Sequence, residues 1–110
     1  MLYVDDDPLL RNAIACLLGR AGAICRPAGT HEDAVALLDR DPHVDLAILD
    51  FHMPDGTVAD LVPRLRSVRP DLPLIGTSGL DRQREFAECG VTRFIPKPWD
   101  LEDLLRVSNS

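Results

Sequence analysis

Asp5, Asp6 and Asp7 close the first apolar run of the chain, and Asp50 closes a later one at residues 46–49. Carboxylates set beside a buried strand repel one another and lose hydration, a cost that a proton or a cation must offset. Oxygen donors of this kind suit magnesium, which keeps several waters and is commonly held by one or two carboxylates together with phosphate oxygens. Thr77 and Ser78 follow a third apolar run, and Lys97 follows a fourth. A hydroxyl and an ammonium facing the carboxylates would neutralise and orient a transferring phosphoryl group, which is most of what phosphoryl transfer asks of a protein. An aspartate so placed can itself be the nucleophile and carry an acyl phosphate.

The elements that must bring these groups together can be read from the apolar pattern. Residues 2–4 read as a strand, after which Leu9, Leu10, Ala13, Ile14, Leu17 and Leu18 recur along one helix face that Gly19 and Gly22 bring to a stop. A second strand is predicted at residues 23–25. It is followed by a helix capped by Thr30, with Glu32 and Asp33 in its first turn and Ala34, Leu37 and Leu38 inward. The third strand is residues 46–49. The third helix uses Val58, Leu61, Val62, Leu65 and Val68, and a cap at Asp60 would leave Pro63 in the first turn, where a missing N–H costs little. Strands at 72–77 and 92–95 enclose a short helix at 81–88 ended by Gly90, and a fifth helix is predicted at 99–107. Five strands alternating with five helices specify an α/β fold, a doubly wound parallel sheet covered on both faces.

In open parallel sheets, ligands bind beyond the carboxyl ends of the strands, where the strand order reverses. Strands one, three, four and five all end in reactive groups, whereas strand two runs into Arg26, Pro27, Ala28 and Gly29. That places strand two at an edge and predicts the order 2-1-3-4-5, with strands one and three flanking the crevice. Pro96 suits the opposite edge, where a missing amide donor is tolerated.

The 110 residues fit one globular domain, taken as 1–110 with no output domain of its own. A net charge of −6 argues against direct contact with nucleic acid. No apolar stretch approaches the roughly 20 residues of a membrane span, so no membrane insertion is expected. Cys16, Cys25 and Cys89 are odd in number and widely spaced, reading as reduced thiols of a cytoplasmic protein rather than a disulfide or zinc framework.

The successive segments VDDDP, LAILDFHMPDG, LIGTSG and FIPKPW resemble, in the same order, the motifs of the response regulator receiver domain of two-component signalling, and the likeness spans essentially the whole chain. The resemblance implies a flavodoxin-like, chemotaxis-regulator-like fold that works as a switch rather than a turnover enzyme. Asp50 would accept a phosphoryl group from a sensor histidine kinase or a histidine phosphotransfer protein. Magnesium would be bound by Asp6, Asp50 and the backbone carbonyl of His52, with Asp5 acting mainly through water. Lys97 would bridge to Asp50 at rest and to the phosphoryl oxygens afterwards. Thr77, with Ser78 beside it, would move towards the new phosphate, and Phe94 would turn into the vacated space. The fourth helix, fifth strand and fifth helix would report the change to a downstream partner or through a phosphorylation-linked dimer.

Two departures stand out. Phe94 lacks the hydroxyl of the tyrosine often found at its position, so only packing would hold an inward rotamer. His52 and Gly79 occupy positions that tune phosphoryl lifetime in the family, and an imidazole can orient or deprotonate an attacking water.

Each residue also has an ordinary explanation. Asp6 and Asp7 suit a first helical turn with Pro8 at its start, and Asp7 is assigned to that role alone. Asp50 could end a strand before a turn, Thr77 and Ser78 could satisfy a fraying strand, and Lys97 could be a surface charge. Their coincidence on one sheet rim favours the phosphoacceptor. His31 and His43 are read as surface residues without a role, and Arg82 and Arg84 as a solvated face. Phe94 and Trp99 could be ordinary core or cover residues, or, if exposed, part of a partner surface. A phosphatase of the haloacid dehalogenase type would need an acid where His52 stands, and a cap for which 110 residues leave no room. A receiver-like interaction module that is never phosphorylated remains the other alternative.

Overall fold

A computed structural model describes residues 1–20, 22, 24–53, 55–97 and 102–103. Among these residues, five strands and four helices alternate: β1 (Leu2–Val4), α1 (Pro8–Arg20), β2 (Arg26–Ala28), α2 (His31–Arg40), β3 (Ala47–Asp50), α3 (Val58–Val68), β4 (Leu74–Ser78), α4 (Gln83–Glu88) and β5 (Arg93–Pro96). The fifth helix and Trp99 lie outside the described residues, save that Glu102 and Asp103 are helical. The strands form one parallel sheet in the order β2-β1-β3-β4-β5.

The side chains of β1 alternate between two cores, as strand geometry requires. Leu2 and Val4 join Leu49, Leu61 and Phe86 in a core with α2, α3 and α4, while Tyr3 joins Ile14, Leu18, Ile48 and Ile75 in one with α1. The three strands β1, β3 and β4 are buried along their whole length, which is why they read as continuous apolar runs. Their register fixes the rim: Val4 pairs with Leu49 and Asp50 with Thr77, so the residues following β1 emerge beside the last residues of β3 and β4. Lys97 extends β5 by one step, its N–H donating to the Ser78 carbonyl at 2.9 Å.

The structure corrects several boundaries. Strand β2 is residues 26–28, not 23–25, and Ile24 is 68% exposed. Backbone pairing rather than apolarity selects this edge strand: the Arg26 N–H donates to Met1 O at 2.7 Å, the Asp5 N–H donates to Ala28 O at 3.0 Å, and Pro27 needs no donor at an edge. The apolar stripe of α1 is narrower than its spacing suggests. Ile14 and Leu18 are buried, but Leu9 is 81% and Leu17 40% exposed.

Helix α3 begins at Val58 with Thr57 as its cap. The Asp60 carboxylate reaches back to accept from the Thr57 N–H at 3.2 Å and hydroxyl at 3.3 Å, so Asp60 lies in the first turn instead of capping it. Pro63 therefore falls inside the helix. The bond it cannot make would have gone to the carbonyl of Ala59, and both residues lie on the exposed face, where water can replace it.

Two side chains assigned to solvent are packed. The His31 ring is buried at the start of α2, and its backbone N–H donates to Asp55 Oδ2 at 2.8 Å. The Arg82 guanidinium lies over the Phe51 ring, 4.7 Å from its centre, a cation–π contact, and is 3.9 Å from Glu85.

Helix α4 can approach the sheet because residue 76 has no side chain. A Cβ at Gly76 would stand 2.5 Å from the Phe86 ring, whereas one at Gly19 meets nothing within 4 Å. Gly76→Ala is expected to lower unfolding stability by about 1–3 kcal/mol through overpacking. Gly19→Ala is expected to raise it by about 0.5 kcal/mol by restricting the unfolded chain. Urea midpoints at unchanged slope would read both.

Candidate functional site

The carboxyl ends of β1 and β3 bring three acids together: Asp5, Asp6 and Asp50 each offer an oxygen within 4.8 Å of the others. Asp5 is 1% and Asp50 5% exposed, while Asp6 faces solvent. Lys97 closes the group from β5. Its Nζ donates to Asp5 Oδ2 at 3.0 Å and lies 3.4 Å from Asp50 Oδ2, so one ammonium serves two buried carboxylates and leans towards Asp5.

Asp5 is the better supported acid. Besides Lys97, its Oδ2 accepts from the Tyr3 hydroxyl at 2.7 Å, and its Oδ1 accepts from the Asp7 N–H at 3.0 Å. Burial pushes its carboxyl upward, but these donors outweigh it and hold Asp5 below the usual carboxylate range. Asp50 is pushed the other way, to about 6, by burial, which Lys97 opposes and the neighbouring Asp5 charge reinforces. Burial and the bond to Asp5 push the Tyr3 phenol far up, so it remains a donor.

The pocket thus holds more negative charge than its one ammonium neutralises. A divalent cation bound by oxygen fits that deficit: the donors are all carboxylates, they are close enough to share one ion, and Asp6 keeps the site open to water.

The other sequence-identified residues surround this centre. Thr77 is buried opposite Asp50 in the sheet register. Ser78 is also buried, and its hydroxyl oxygen accepts from the Leu80 N–H at 3.2 Å. Gly79 is exposed, with open space where a Cβ would stand. His52 is exposed, and its ring meets the Phe51 ring edge-on at 5.2 Å. Asp6, Phe51, His52, Met53, Gly56 and Thr57 line a shallow cavity of about 280 Å³ beside the acids. Phe94 is half-buried against the core that holds Phe86, 5.8 Å from it between ring centres. Asp7 has a local role, but it caps α1 from just before its start rather than lying in its first turn, its Oδ1 accepting from the N–H groups of Leu9 at 3.0 Å and Leu10 at 3.3 Å. Tyr3 was not singled out by sequence, although its spacing of two from Asp5 puts both side chains on one face of an extended segment. Among the described residues, no helix is long and apolar enough to cross a membrane.

Residues 1–109 match the family model of the response regulator receiver domain. The chain is 36% identical to the DNA-binding transcriptional regulator NtrC of Azospirillum brasilense, a match covering 97% of this chain and 23% of that protein. It is 30% identical to the sensor histidine kinase RcsC of Escherichia coli strain K12, covering 93% of this chain and 11% of that protein. It therefore spans about a quarter or less of these relatives. Among solved structures, a response regulator receiver protein from Pseudomonas putida superposes with a TM-score of 0.87 at 30% identity, covering 98% of this chain and 93% of the other. With the sheet order and the acidic rim already in place, these likenesses establish that the chain belongs to the response regulator receiver domain family of two-component signalling.

Proposed function

We propose that Asp50 is the phosphoacceptor of this domain and that the phosphoryl group comes from a phosphohistidine on a sensor histidine kinase or histidine phosphotransfer protein. The observation carrying this reading is the buried Asp50 carboxylate at the end of β3, flanked by Asp5 and Asp6 and 3.4 Å from the Lys97 ammonium. An Asp50 oxygen attacks phosphorus, the P–N bond breaks, and its electron pair returns to the donor imidazole, which takes up a proton. Lys97 offsets the charge of the transferring group, and Thr77, one strand away, offers it a hydroxyl. Magnesium held by Asp6, Asp50 and the His52 carbonyl, with Asp5 through water, would supply the remaining neutralisation.

Because Lys97 also pairs with Asp5, it can leave Asp50 for the phosphoryl oxygens without losing its own anchor. Phosphorylation then shifts a two-state equilibrium, with Thr77 and Ser78 drawn to the phosphate and Phe94 repacking. The response reaches a downstream partner, or a second copy of the chain, through α4, β5 and the helix after it. His52, which lines the cavity beside the acids, and Gly79 set how readily water attacks the acyl phosphate. The domain acts as a cytoplasmic switch and not as a turnover enzyme, in keeping with relatives whose names denote a transcriptional regulator and a sensor kinase.

Incubation with acetyl phosphate and magnesium should add one phosphoryl group, read by mass spectrometry, to the wild type and none to Asp50→Ala; equal labelling of both would refute the assignment.

The raised pKa of Asp50 sets a second test. Folding moves it from 3.8 to about 6, so the native state holds this proton more tightly, and the stability it contributes is complete below about pH 4 and lost as pH rises through 6. Asp5, held low, contributes in the opposite sense, its share present above about pH 4 and lost on acidification. In chelator near neutral pH, Asp50→Asn should therefore exceed the wild type in unfolding stability by roughly 2–3 kcal/mol. The gap should close towards pH 4. Added magnesium should stabilise the wild type more than the variant.

A further inference from the structure

Arg11 lies on α1, and its guanidinium turns back over the β1–α1 connection. Nη1 donates to the main-chain carbonyl of Asp5 at 2.9 Å. On the far side of Asp6, the Asp7 N–H donates to Asp5 Oδ1 at 3.0 Å, and the Asp7 carbonyl accepts from the Arg11 N–H at 2.9 Å. Asp6 thus sits between two pinned peptide groups. As the exposed member of the three acids, it has the least packing of its own to hold its carboxylate in place.

The guanidinium is itself seated. A Cβ at Gly29, just past β2, would stand 2.6 Å from Arg11 Nη1, 3.0 Å from Cζ and 3.3 Å from Nη2, so the group packs closely against the glycine. Gly29 is not among the glycines of positive φ, which are Gly22, Gly56 and Gly90. Its backbone would accept a side chain, and one placed there would push the end of the Arg11 side chain off its seat.

We propose that Arg11, seated on Gly29, is a positioning residue for the cation site: it holds the Asp5–Asp6 backbone so that the Asp6 carboxylate meets those of Asp5 and Asp50. The inference rests on reading those carboxylates as a magnesium site. Charge and geometry make opposite predictions here. A guanidinium acting only as a nearby positive charge would repel the metal, and its removal would tighten binding. A guanidinium acting as a clasp holds a ligand in place, and loss of such outer partners typically weakens metal binding by about 10–100-fold.

The test is a magnesium chloride titration of the whole chain followed by backbone amide NMR shifts, with denaturant midpoints measured in chelator. Arg11→Ala should bind magnesium about tenfold more weakly than the wild type. Gly29→Ala, which keeps the charge but unseats it, should weaken binding in the same direction, and the double variant should be no worse than Arg11→Ala alone. If Arg11→Ala does not fold, Gly29→Ala carries the test by itself. Unchanged or tighter magnesium binding in folded Arg11→Ala, even with a lower denaturant midpoint, would overturn the proposal, as would unchanged binding in Gly29→Ala. A wild type that does not bind magnesium would instead overturn the reading of the site on which the proposal stands.

Discussion

Two carboxylates buried at the ends of adjacent strands share a single ammonium group. Asp5 and Asp50 cannot both be comfortable as anions with only Lys97 between them, and the asymmetry of their surroundings decides which suffers. Asp5 collects a phenol, a backbone N–H and the shorter contact to Lys97; Asp50 is left with burial and a repelling neighbour. The domain therefore holds one poorly compensated carboxylate at its rim, an arrangement that favours a bound cation or a proton there. Breaking such a centre by removing one partner leaves an unpaired buried charge, so Lys97 is a structural element in its own right.

The sheet exists to hold this arrangement. Parallel strands β1, β3 and β4, buried on both faces, run in register to one rim, and the reversal of order between β1 and β3 opens the crevice there. Lys97 reaches it from the edge because its backbone still pairs with Ser78 beyond the end of β5. On the other edge, β2 brings Gly29 against Arg11, whose guanidinium donates to the Asp5 carbonyl.

Much of this was legible in the sequence because buried parallel strands are apolar runs, and a charged residue at the end of such a run is conspicuous. Asp5, Asp50, Thr77 and Lys97 were found that way, and the strand order followed from which runs ended in reactive groups. What escaped was set by specific polar contacts and strand pairing, which an apolar pattern does not display. Strand β2 is chosen by pairing with β1, and its own residues Arg26 and Pro27 give no strand pattern. Pro63 sits inside α3 because Asp60 reaches back to Thr57. The burial of His31 and the stacking of Arg82 on Phe51 depend on loops folding over them. Tyr3 looked like one more apolar strand residue, and only its hydroxyl contact with Asp5 distinguishes it.

The central claim, that Asp50 is the undercompensated member of a carboxylate pair sharing one ammonium, is tested most directly by following the side-chain carboxyl carbons of Asp5 and Asp50 by NMR as pH is varied, with and without magnesium. Without the metal Asp50 should titrate at about 6 and Asp5 below the ordinary value of 3.8, and magnesium should move the Asp50 transition down. An Asp50 that titrates at its ordinary value and ignores magnesium would contradict the account.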